Sequence, residues 1–145
     1  MSASLLIPTL EAALVVDGVD NVYTESPTTS NARTSNTNLF ISEILITPDD
    51  GTTHDRSFEY TINILGYVGS QAATENPYLF MASIWDSLYD KLHRKPQVLD
   101  LNSNNFAVTV CRIDTMDIAI SDERAGSTGF LSIYVRVDDT SSRKR

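Results

Sequence analysis

The sequence predicts an α+β fold: a mostly antiparallel sheet packed by one long helix, about residues 76–95, and a short N-terminal helix. Three observations carry this expectation. Phe58, Tyr60, Ile62, Ile64 and Val68 alternate with Glu59, Thr61 and Asn63, the period of a strand with one buried and one wet face. Met81, Ile84, Trp85, Leu88 and Leu92 recur at helical spacing and form a continuous apolar stripe. The strands are joined mostly as hairpins with a helix between them, which suits one sheet with helices on a face.

Taken in order, residues 4–16 (SLLIPTLEAALVV) read as a short helix. Pro8 is expected in its first turn, where the missing N–H costs nothing, and Gly18 is its expected stop. Asn21 to Thr24 is a candidate short strand. Residues 25–38 (ESPTTSNARTSNTN) hold no large apolar residue and are expected to form a long exposed loop. Residues 39–47 and 56–68 read as strands, joined by turn chemistry at Pro48-Asp49-Asp50-Gly51.

Asn76 suits an N-cap and Pro77 the first helical position, and Pro96 is the expected stop of the long helix. Residues 105–113 and 130–138 complete the sheet. Met116 to Ile120 continues or follows the first of these, and a charged, glycine-bearing loop runs from Asp122 to Gly129. The expected organisation is one α+β domain over 1–139 with an exposed polar loop at 25–38, then a flexible basic tail at 140–145.

The 145 residues include 11 basic and 19 acidic ones, for a formal charge of −8. Three of the basic residues are Arg143, Lys144 and Arg145; without them the balance is 8 against 19, or −11. Sequence-independent binding of nucleic acid draws on Lys and Arg against phosphates, so an acidic body argues against DNA binding as the main role. No stretch of about 20 apolar residues suggests a membrane span. The single cysteine, Cys111, permits no intrachain disulfide.

Catalytic chemistry finds little support. The chain carries no Walker-type loop, no Gly-x-Ser-x-Gly, no His-Glu-x-x-His and no Gly-x-Gly-x-x-Gly. A solvated turn accounts for His54, and a helix C-terminus accounts for His93. Cys111 sits in a strand beside Arg112, but adjacent strand residues face opposite sides, so a buried inert thiol is the better reading. Asp114 with Asp117, Asp49 with Asp50, and Asp138 with Asp139 lack the spacing of a calcium loop and read as solvated turns. No metal or cofactor is expected, and the chain is read as not an enzyme.

The stretches LLIPTLEAALVVDGVDNVYTESP, RSFEYTINILGYVGS, NPYLFMASIWDSLYDKLHRK and GFLSIYVRVDD, in this order, resemble the tail terminator (tail-completion) family of long-tailed bacteriophages. The resemblance covers nearly the whole chain and is one of pattern, length and acidic character. It implies a virion protein, made in the host cytoplasm, that forms a hexameric ring. The ring caps the tail tube, ends tube polymerisation and provides the joint to the head connector. The implied partners are other copies of the chain, the tail tube protein, the head–tail connector or neck protein and, in a contractile tail, the sheath. DNA passes through the lumen without specific binding, and an acidic lumen would repel it.

A ring subunit needs loops that reach its neighbours. The candidate subunit, tube or connector contacts are Asp49 and Asp50 in the first turn, Asp122, Glu123 and Arg124 in the later loop, and Arg33 in the polar segment. Three alternatives stay open: another neck or head-completion connector, a protein-binding adaptor that uses a sheet edge, and an enzyme built from scattered carboxylates.

Overall fold

A computed structural model describes residues 3–24, 37–49, 56–69, 76–101, 105–120 and 126–140. The elements are α1 (Ala3–Ala13), β1 (Asn21–Tyr23), β2 (Thr37–Asp49), β3 (Arg56–Val68), α2 (Pro77–Leu92), a 3-10 turn (Pro96–Val98), β4 (Phe106–Ile120) and β5 (Ser127–Asp139). The strands form one sheet in the order β1-β2-β3-β5-β4.

This corrects the expected fold class. The architecture is a mixed five-stranded sheet with two short helices, not one long helix packed on a sheet without parallel strands. The sheet is mixed because β1 runs parallel to β2, with Asn21 opposite Asn38 and Tyr23 opposite Phe40, whereas the other neighbours are antiparallel. A parallel return needs a connection of about a dozen residues, and the polar segment after Tyr23 supplies that length. Its last two residues, Thr37 and Asn38, are not loop: they are buried at the start of β2. Asp20 fixes the junction by accepting from Thr37 N at 2.7 Å, while Asn21 Nδ2 donates to Asn38 Oδ1 at 3.1 Å.

The second helix spans 16 residues and stops well short of 95. Asn76 caps its start by accepting from Tyr78 N at 2.8 Å. It ends before Pro96 is reached because His93 turns extended and Arg94 takes a left-handed φ of 58°, which lets Arg94 N donate to Cys111 O at 2.7 Å. Pro8 is likewise not in the first turn of α1 but inside the helix. Burial of Leu6, Leu10 and Ala13 holds α1 together around it, and Thr9 Oγ1 donates to Leu5 O at 2.9 Å. Gly18 lies beyond the helix end, where its φ of 95° lets the chain pass against the Phe80 ring of α2.

Pro48 and Asp49 belong to β2, opposite Phe58 and Ser57, so the expected turn begins later than Pro48. Proline is tolerated there because that half of β2 extends past β1 and has no second strand beside it among the described residues. Residues 127–129 are likewise the start of β5 rather than loop.

One apolar cluster joins both helices to the sheet. Met81, Ile84, Trp85, Leu88 and Leu92 of α2 and Leu6 and Leu10 of α1 meet Tyr60, Ile62 and Ile64 of β3 and Leu131, Ile133, Val135 and Val137 of β5. Trp85 lies directly on the backbone of the cross-strand pair Gly66 and Gly129: a Cβ added at Gly129 would sit 2.7 Å from its ring.

Candidate interaction surface

Period-2 alternation sends the residues between those core positions to the other face of the sheet. On β3 these are Glu59, Thr61, Asn63, Leu65 and Tyr67; on β5 they are Thr128, Phe130, Ser132, Tyr134, Arg136 and Asp138. Most are half-buried, and the face divides into a charged half and an apolar half.

In the charged half, Tyr134 donates to Glu59 Oε1 at 2.5 Å. The Arg112 guanidinium lies 4.1 Å from the Tyr134 ring centroid, and its Nε pairs with Asp114 Oδ1 at 2.7 Å. Burial, then the Glu59 carboxylate, pushes the Tyr134 hydroxyl above its ordinary value, and the hydrogen bond to Asp114 raises that of Arg112. Nearby, Ser57 donates to Asp138 Oδ1 at 2.8 Å and accepts from Arg136 Nη2 at 3.0 Å. The Arg112–Asp114 pair is solvent-exposed, so it contributes to orientation more than to stability.

In the apolar half, Phe40, Leu65, Tyr67, Phe130, Thr128 and Asp117 surround a groove of about 210 Å³ whose floor is the backbone of Gly66 and Gly129. Phe40 is fully buried and stacks on Tyr23 with centroids 5.3 Å apart. Trp85 backs the floor from the core side, and its Nε1 donates to Asp117 O at 2.9 Å.

The two outer edges of the sheet differ. At β4, His93 Nδ1 accepts from Ile113 N at 3.0 Å and Arg94 N donates to Cys111 O, so the end of α2 occupies part of that edge. At β2, Glu43 to Asp49 lie beyond β1, and Leu45 is 58% exposed.

Of the sequence-predicted contact residues, Asp49 stands at the end of β2, and Asp50, Asp122, Glu123, Arg124 and Arg33 lie outside the described residues, as does His54. Asp114 and Asp117 are not a carboxylate pair in a turn: both are exposed on β4, and Asp114 is bound to Arg112. Among the described residues no group of three His, Cys, Asp or Glu could hold a metal ion. Cys111 is buried, and burial pushes its thiol up to about 11. Sequence reasoning missed the surface built by Glu59, Arg112, Phe130, Tyr134 and Arg136. The available signal was their regular placement opposite the core positions of β3, β4 and β5.

No protein-family model matches the sequence, and no curated protein does. Among solved structures, the chain is similar to a chain in "Virion of native gene transfer agent (GTA) particle", with a TM-score of 0.52 over 92% of this chain and 91% of that one, at 14% identity. Identity this low speaks to the fold alone.

Proposed function

We propose that this protein is a structural component of a phage-like virion, a ring-forming tail terminator that caps the tail tube, ends its polymerisation and joins it to the head connector. The observation that carries the virion reading is the fold shared with a chain of the gene transfer agent particle along nearly the full length of both chains. The position at the tail end rests on the sequence resemblance to tail terminators. Two features suit assembly: a sheet face that carries both charge and an apolar groove and that neither helix covers among the described residues, and the part of β2 that extends past β1. Neither needs catalytic chemistry.

Native mass spectrometry across concentration and salt, with the tail tube protein of the same particle added, tests the reading. The expected result is a closed ring, free or on the tube, with electron micrographs of tubes capped at one end. A monomer that neither binds tubes nor alters their growth would overturn it.

A further inference from the structure

The outer sheet face carries one arrangement twice, complete in one place and incomplete in the other. In the complete version an arginine, Arg112, lies over an aromatic ring, Tyr134, and pairs with a carboxylate, Asp114. Farther along the same two strands, Asp117 stands opposite Phe130, beside the apolar groove. There the ring and the carboxylate are present, and no cation pairs with Asp117 among the described residues. A groove of about 210 Å³ has room for such a side chain, since a cavity of about 150 Å³ already admits a benzene molecule.

We propose that this groove receives a cationic side chain from the Arg143-Lys144-Arg145 segment of a second copy of the chain. The recognition chemistry is a guanidinium or ammonium against aromatic walls and one carboxylate. The segment is the densest positive charge in a chain whose remaining residues carry −11. Chain geometry excludes the same copy as donor. Phe130 and Thr140 are ten residues apart along an extended strand, about 33 Å. Residues 141–145 span at most about 18 Å, a gap that a side chain does not close. Donation therefore runs between copies, from one end of a subunit to the opposite end of the next. A contact of this kind is head-to-tail, and it closes into a ring when the rotation permits.

The inference rests on the assembly reading but can be tested apart from it, because Trp85 is the only tryptophan and its ring backs the groove floor. The probe is an amidated Thr-Ser-Ser-Arg-Lys-Arg peptide, the sequence of residues 140–145. It is titrated into full-length protein carrying Arg143→Gln, Lys144→Gln and Arg145→Gln while Trp85 emission is followed. The expected result is a saturable shift that weakens with added salt and weakens about tenfold on Asp117→Asn. That substitution leaves the Trp85 bond intact, because the bond is to the backbone. No shift, equal binding to the Asp117→Asn variant, or equal binding of a peptide with three glutamines would overturn the proposal. The triple-Gln variant should also lose oligomer in native mass spectrometry. Oligomers of unchanged abundance would leave the ring reading standing and sink this contact. A wild type that stays monomeric both alone and with the tube protein would overturn donation between copies, even where the triple-Gln variant binds the peptide at Asp117.

Discussion

The indole Nε1 of Trp85 donates to the backbone carbonyl of Asp117 at 2.9 Å, which ties the buried stripe of α2 to the outermost strand, β4. Trp85→Phe removes the donor together with the indole atoms that lie over Gly66 and Gly129. The expected loss is at least about 1–3 kcal/mol, because the packing lost with those atoms adds to the unpaired carbonyl. Urea unfolding followed by circular dichroism measures it; a loss of a few tenths would mean that water replaces the indole at Asp117 O.

Gly129 has no room for a side chain, because an added Cβ would lie 2.7–2.8 Å from three atoms of the Trp85 indole. Gly129→Ala is expected to destabilise by about 1–3 kcal/mol through overpacking. Trp85→Leu removes the clashing ring, so the double variant should lose less than the two single losses combined. Strict additivity in that cycle would show that the close approach is not the cause.

His93 caps α2 and serves β4 at once: it stacks on Tyr89 with centroids 4.4 Å apart, and its Nδ1 accepts from Ile113 N. His93→Phe preserves the stack and removes the acceptor, which leaves a strand N–H without its partner. The predicted effect is about 1–3 kcal/mol of stability, with faster amide exchange at Ile113 than at neighbouring residues of β4. Unchanged exchange at Ile113 would contradict the assignment.

Burial holds the Cys111 thiol at about 11, above its ordinary 9.0, so the folded chain retains this proton longer than the unfolded chain. Below pH 9 both states are protonated and the stabilisation is fully present. Between pH 9 and 11 the unfolded chain ionises first, and stability falls by up to about 3 kcal/mol. Tyr134, also raised, acts in the same direction at high pH. Cys111→Ala should therefore flatten, without abolishing, the decline in unfolding free energy measured at pH 8, 9 and 10. An identical slope in that variant would contradict the prediction.

Much of the strand content was legible because burial on one face writes a period of two into the residues. The β3 register of Phe58, Tyr60, Ile62 and Ile64 is the clearest instance, and β5 repeats it in Leu131, Ile133, Val135 and Val137. The stripe of α2 was legible for the same reason at a different period. The fold class was misjudged because the partner of β1 is not written in Asn21 to Tyr23. Three residues carry no period, and whether they pair parallel or antiparallel depends on where the polar segment returns. The end of α2 was misplaced because Pro96 is a local signal, whereas the true stop is the pairing of Arg94 with Cys111, seventeen residues along the chain.

The candidate site divides along the same line. Charge balance, the lone cysteine, the missing catalytic motifs and the basic Arg143 to Arg145 segment are properties of composition and order, so the sequence by itself determined them. The groove is not. Phe40, Leu65, Asp117 and Phe130 come from four strands, and they meet only because the order β2-β3-β5-β4 brings them into register. The glycine pair that thins the sheet also means nothing until Gly66 and Gly129 face each other across β3 and β5 with Trp85 behind them. Local periodicity specifies which face of a strand is buried, but strand order and register are set by packing the whole chain at once, and the surface that another molecule would meet exists only at that level.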